Sequence, residues 1–164
     1  MAVTYDPIAT TTLGSAQASV TLSSIPSTYT DLILIIGGVL TTGSGDQSIF
    51  SRVNGDTAGN YSGTYMYGYG GAAYSGRDTN TTYSVVGRLA EATYGGVCII
   101  QYMNYSNTTT YKTVIGRGND TNLVIAAVGL WRSTAAINSV TVYPENAKSF
   151  ATGCVFTLYG VKSA

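Results

Sequence analysis

Strand-length blocks separated by turn residues run the whole length of this chain, and no segment repeats apolar residues at i, i+3, i+4 and i+7 with helix formers between them. Glycine, threonine and tyrosine stand where a helix would want alanine, leucine, glutamate and lysine. The patterning therefore predicts an all-β fold, with single helical turns at most around Ser24 to Tyr29 and Pro144 to Lys148. The expected strands are Ile8 to Leu13, Ala18 to Ser23, Asp31 to Leu40, Gln47 to Val53, Thr64 to Tyr69 and Thr82 to Leu89. They continue with Val97 to Asn104, Tyr111 to Gly116, Leu123 to Trp131, Ile137 to Tyr143 and Gly153 to Val161. Spacing of this kind suggests two packed antiparallel sheets, a β-sandwich with jelly-roll-like connections.

Two blocks, Asp31 to Leu40 and Leu123 to Trp131, are apolar at successive positions rather than alternate ones. Such strands belong at the middle of a sheet covered on each side or packed against a neighbouring subunit. Asn54-Gly55-Asp56 supplies the positive-φ positions of a tight turn. Residues 60 to 82 break the strand pattern: Tyr61, Tyr65, Tyr67, Tyr69 and Tyr74 stand among glycines, as where flexible backbone presents amphipathic rings. The competing reading is that these rings cover a sheet face, with glycine at the bends.

The 164 residues fit a single domain spanning 1–164, long enough to bury a core without disulfides or metals. Residues 1–13, polar and threonine-rich, are expected to form an extended N-terminal arm. Charged residues make up 10 % of the chain and the formal net charge is zero. Arg52, Arg77, Arg88, Arg117 and Arg132 are scattered, so the clustered basic footprint of a nucleic-acid partner is missing. Neutrality also weakens the repulsion that keeps copies apart, which favours self-association. No basic segment followed by a long apolar stretch opens the chain, and the longest apolar run, Leu32 to Leu40, is too short to span a bilayer. Neither a secretory leader nor a membrane partner is expected.

Histidine is absent, which removes Ser-His-Asp and Cys-His nucleophile arrangements and ordinary Cys/His zinc sites. Cys98 and Cys154 lie in apolar strand patterns and read as small buried hydrophobes, a disulfide being the alternative. A carboxylate pair of the glycosidase kind would have to come from Asp6, Asp31, Asp46, Asp56, Asp78, Glu91, Asp120 and Glu145. Nearly all of these neighbour Gly, Asn, Thr or Pro in predicted turns, where a carboxylate caps backbone amides. The loops Gly43 to Asp46 and Gly116 to Asp120 lack both the alternating oxygen ligands of an EF-hand and the P-loop signature. No catalytic residue, metal site or cofactor is expected. Several Asn-x-Ser/Thr triplets follow from Asn- and Thr-rich loops. Trp131, beside Arg132, reads as core or subunit interface, with stacking on a sugar or base as the alternative.

Leu130-Trp-Arg-Ser-Thr-Ala-Ala-Ile-Asn-Ser-Val140 and Phe156-Thr-Leu-Tyr-Gly160, with a weaker echo in Ser24 to Leu32, resemble small β-sandwich proteins of tailed phages, both head decoration (cement) proteins and tail-fibre domains. The resemblance implies a non-enzymatic virion structural protein on the outer capsid surface, with the major capsid protein and copies of itself, as a homotrimer, for partners. The contact elements expected are the Tyr61 to Tyr74 loop, with Tyr65, Tyr67 and Tyr69, and the N-terminal arm, with Tyr5 and Ile8 adding a strand to a neighbour's sheet. Trp131 joins them. Two other readings are a tail-fibre tip recognising cell-surface glycans, and a free carbohydrate-binding module or glycosidase.

Overall fold

The computed structural model describes residues 4–41, 47–90, 95–120 and 122–162. The fold is all-β, and no helix occurs among the described residues. Both expected helical turns are absent: Ser24 to Tyr29 is irregular, and Pro144 ends a strand before a turn in which Asn146 and Ala147 take left-handed φ values of 55° and 54°. In chain order the strands are β1 (Tyr5–Thr12), β2 (Val20–Leu22), β3 (Asp31–Gly38), β4 (Gln47–Val53), β5 (Tyr61–Tyr69) and β6 (Ala72–Thr81). They are followed by β7 (Ser84–Leu89), β8 (Gly96–Met103), β9 (Lys112–Asn119), β10 (Leu123–Trp131), β11 (Val140–Pro144) and β12 (Val155–Val161). Every expected strand has a counterpart, and β6 is an addition. It lies in the Tyr/Gly segment where the pattern predicts loop, and it forms because β5 offers it a full antiparallel partner across the Gly70-Gly71 turn.

The twelve strands form one mixed sheet. Within it, β1-β12-β3-β8-β9-β10-β5-β6 follow one another in an unbroken antiparallel path. A second antiparallel path runs β7-β4-β11-β2. A single parallel bridge, Leu89 to Asn119, joins the two. Alternation decides what each path turns inward. Leu32, Leu34 and Ile36 of β3, Ile100 and Tyr102 of β8 and Phe156 and Leu158 of β12 meet Ile49 and Val53 of β4, Val86 of β7 and Val140 and Val142 of β11 in one core. Tyr102 crosses that core to a 2.7 Å hydrogen bond with Ser51.

Close approach between the paths depends on glycine. A Cβ on Gly116 of β9 would stand 2.0 Å from the Val86 carbonyl oxygen of β7, and one on Gly118 would stand 2.7 Å from that of Arg88. The Asn54-Gly55 turn takes the expected left-handed backbone, φ 52° and 64°, but it closes no hairpin. Its role is to orient the Asn54 side chain, whose amide donates to the Ala136 carbonyl at 2.8 Å and accepts from the Asn138 and Ser139 amides. Cys98 and Cys154 are free and buried, as small hydrophobes.

Two expectations require correction. The N-terminal segment is not a free arm from residue 5 onward: β1 pairs along β12 of its own sheet, because the edge of the last strand is the nearest unpaired ladder. Of the two arrangements expected for β3 and β10, cover on both faces or packing against a neighbouring subunit, the first is absent among the described residues. Only alternate residues enter the core, and the outward Val124, Ala126 and Val128 of β10 are exposed.

Candidate interaction surface

The register of β8, β9, β10, β5 and β6 assembles a continuous outer face. Ile99 stands opposite Arg117, Arg117 opposite Ala126, Ala126 opposite Met66 and Met66 opposite Ser75. In the next row Gln101, Ile115, Val128, Thr64 and Arg77 succeed one another. Since Cys98, Ile100, Val114, Ile125 and Ala127 take the core side, period-two alternation leaves these residues outward. Met66 is 64 % exposed, Val124 62 %, Val128 54 % and Val97 46 %. Shallow grooves cross the face, one beside Val97, Arg117 and Val124 and another beside Thr64, Arg77 and Val128. A contiguous apolar face of this kind is the mark of an interaction site rather than of ordinary surface. Its charged groups are Arg117 and Arg77, neither of which has an ion-pair partner among the described residues, and no carboxylate lies on these outward positions of the five strands.

The opposite side of the β5–β6 hairpin carries the tyrosines. Tyr61, Tyr65, Tyr67 and Tyr69 alternate with the outward residues, so they fall on the side of Ile125 and Trp131. Tyr67 stacks on its cross-strand partner Tyr74 at 5.0 Å and neighbours Tyr65 at 6.5 Å. Gly76 makes room for the Tyr65 ring, since a Cβ there would come within 2.4 Å of it. Across a crevice lined by Tyr65, Asp78, Tyr83 and Ser84, the row continues onto the outer side of β7, β4 and β11. There Tyr83 stacks on Phe50 at 4.0 Å, and Phe50 meets Tyr143 edge-on at 5.6 Å. Burial, then the Asp78 charge, raises the pKa of both Tyr65 and Tyr83. The Asp78 carboxyl is itself raised by burial and then by Glu145. This side is thus aromatic and acidic. Its guanidinium, Arg52, is engaged with the Thr82 carbonyl at 2.8 Å and lies 4.7 Å above the Tyr143 ring.

Of the residues that the sequence pointed to, Tyr65, Tyr67, Tyr69 and Tyr74 come together on one hairpin face, held by β-pairing rather than by a flexible loop. Tyr5 is exposed at the far edge of the sheet opposite Val161, and Ile8 is half-buried against its own core, so the two stand apart from the tyrosine row. Tyr61 and Trp131 are corrections, because both are buried. The Trp131 indole N–H donates to Asp56 at 2.6 Å, and that carboxylate also accepts from the Ala58 amide and the Asn60 side chain. Burial alone would raise the pKa of Asp56, yet these three donors outweigh it and hold it below the ordinary value. The Tyr61 hydroxyl donates to the Asp56 carbonyl at 3.2 Å, and burial pushes its pKa up to about 12.

Carboxylates cap backbone as expected at several sites. Asp120 accepts from the Asn122 and Leu123 amides, and Asp31 from that of Asn104. Asp6 and Asp78 differ, lying within strands; Asp6 is paired with Lys162 at 2.5 Å. Glu91 and the whole Gly43 to Asp46 loop, Asp46 included, fall outside the described residues. Among the described residues no cluster of three His, Cys, Asp or Glu side chains is arranged to hold a metal. The outer-face residues Met66, Val97 and Arg117 carry no sequence signal as contact residues, while the two-sided apolarity of Leu123 to Trp131 is the signal for Val124 and Val128.

No protein-family model matches the sequence, and a search of curated proteins finds no relative. Among solved structures, the chain is similar to alginate lyase Aly36B at a TM-score of 0.33 and 10 % identity, covering 90 % of this chain and 78 % of that one. It is similar to a protein from Shewanella oneidensis MR-1 at 0.29 and 9 % identity, covering 98 % and 77 %. For Scytalido-glutamic peptidase the values are 0.27 and 11 %, with coverage of 91 % and 66 %. Likeness at this level carries no argument about fold family or activity.

Proposed function

We propose that this chain is a non-enzymatic structural protein of a tailed-phage particle, a decoration protein that cements the head by binding the major capsid protein across capsomer junctions. The observation that carries the reading is the uncovered apolar face of β8, β9, β10 and β5, centred on Val124, Val128 and Met66. Burying such a face in the contacts of a coat assembled on the shell releases water from apolar area. Every contact must then be broken before the shell expands or ruptures, so binding free energy adds to shell stability by mass action. The carboxylates Asp31, Asp56 and Asp120 are committed to backbone capping, in keeping with a surface role rather than proton transfer. In this reading the two strand paths are the two sheets of a jelly-roll-like sandwich, supported by the core they share and by the glycines at their contact. Purified protein mixed with empty heads should co-sediment at fixed stoichiometry, and Val124→Ser with Val128→Ser should abolish that without lowering Tm. A full complement of the double variant on the heads refutes this surface assignment; absence of the protein from purified particles refutes the virion role.

A tail-fibre tip that recognises cell-surface glycans is the second reading, favoured by the row of Tyr74, Tyr67, Tyr65, Tyr83 and Phe50 beside Asp78 and Glu145. Tyrosine faces stack on sugar rings, and carboxylates accept from sugar hydroxyls. Titration with host-envelope glycans separates the readings: saturable binding lost in Tyr74→Ala, without head binding, favours the tip.

A further inference from the structure

The two sides of the β5–β6 hairpin are opposite in charge and alike in apolarity. Arg77 sits on the outward side, opposite Thr64, while its neighbour Asp78 sits on the tyrosine side, opposite Gly63. Arg117 extends the outward set across β9 among Ile99, Ala126 and Val124, and Glu145 extends the acidic set beside Asp78, Tyr65 and Tyr83. None of Arg77, Arg117, Asp78 or Glu145 has a side-chain hydrogen bond or ion pair among the described residues. A chain with zero formal net charge has therefore placed Arg77 and Arg117 on one side, and Asp78 and Glu145 on the other, of a surface that runs through the β5–β6 hairpin.

We infer that the occupant of the outward face is a second copy of this chain, docked head to tail, with the tyrosine–Asp78–Glu145 side of one copy on the Met66–Val124–Arg117–Arg77 side of the next. Charge complementarity selects this arrangement over a two-fold one. Two outward faces brought together would set arginine against arginine with no carboxylate available, and two tyrosine faces would set Asp78 and Glu145 against their own copies, each a repulsive juxtaposition. Head-to-tail contact sets Asp78 and Glu145 against Arg77 and Arg117 and lays tyrosine rings on valine and methionine, the composition of an interface core. Such a contact is heterologous: it closes into a ring if the rotation between copies permits and otherwise grows. The inference rests on reading the protein as an assembly component and specifies how its copies meet.

The test uses the pure full-length chain, with mass measured by sedimentation equilibrium across a concentration series. The wild type should associate. R77E/R117E and D78R/E145R, which alter side chains without partners and should melt like the wild type, should each weaken association at least about tenfold. Their equimolar mixture should regain it, because the reversed outward face of one variant then matches the reversed tyrosine face of the other. The quadruple variant R77E/D78R/R117E/E145R, in which both faces are exchanged, should associate as the wild type does. A wild type monomeric at its highest soluble concentration overturns the inference, as does a D78R/E145R variant that associates undiminished. Head binding by a monomer would sink this inference and leave the virion role intact; association of a chain absent from purified particles would do the reverse.

Discussion

Replacing Gly116 with alanine should destabilise this protein more than its single added methyl group suggests. The new Cβ would stand 2.0 Å from the Val86 carbonyl oxygen, 2.5 Å from its carbon and 2.6 Å from the Val86 Cα, all of them backbone. Since Cβ atoms do not come within 3.0 Å of such neighbours, β7 must retreat from β9 by about 1 Å. It has no free direction. Val86 is fully buried in the core, β7 is laddered to β4 on one side, and Gly87 packs over Cys98 so closely that a Cβ there would meet the sulfur at 2.3 Å. Overpacking of this kind costs about 1–3 kcal/mol, and a backbone obstacle places Gly116→Ala at the upper end. For a chain of this size about 3 kcal/mol corresponds to roughly 6–12 °C in Tm. The control is Gly14→Ala, where a Cβ meets nothing within 4 Å and the result should be neutral or slightly stabilising. Urea and thermal unfolding of both variants measure the difference. If Gly116→Ala melts within a degree or two of Gly14→Ala, the close approach of the two strand paths is not what fixes their spacing.

Three further outcomes follow from the same geometry. Asp56→Ala removes the acceptor for the Ala58 amide, Asn60 and Trp131, and should cost about 2 kcal/mol at neutral pH, read by urea unfolding. Because the folded pKa of Asp56 is lowered, the charge-dependent part of that advantage is present above the unfolded value of 3.8 and lost as pH falls through the folded one. The gap between wild type and variant should narrow in acid, and a gap that widens would contradict the hydrogen-bond account. Tyr102→Phe should cost about 1–2 kcal/mol by stranding Ser51 in the core, and adding Ser51→Ala should cost no more than the single change; strictly additive losses would show the 2.7 Å bond to be unimportant. Burial pushes the Cys98 thiol up to about 12, so at pH 8 it should resist a thiol reagent in the native protein and react once urea unfolds it, with rapid native labelling as the contrary result.

The tyrosine segment illustrates where sequence reasoning stops. The spacing of Tyr61, Tyr65, Tyr67 and Tyr69 is consistent with alternation, yet Gly63, Gly68, Gly70 and Gly71 among them weaken the strand signal. What makes β6 a strand is the nine-residue ladder that β5 already shares with β10, a partner more than fifty positions away. The same long-range pairing explains why Trp131 and Tyr61 are core rather than contact. Asp56 reaches both from the far side of the Asn54-Gly55 turn, and no local pattern announces that meeting.

Sequence by itself determined the all-β class, the positions of most strands, the left-handed Asn54-Gly55 turn, the burial of Cys98 and Cys154 and the lack of histidine chemistry. These are short-range consequences of period-two alternation, φ preferences and residue inventory. Tertiary structure alone decided which strands pair, that β1 folds back onto β12, and which side of β10 and of the β5–β6 hairpin faces water. Alternation divides a strand into two faces without saying which of them another element will cover. That choice belongs to contacts between residues far apart in the chain, and it is what leaves Val124, Val128 and Met66 uncovered here.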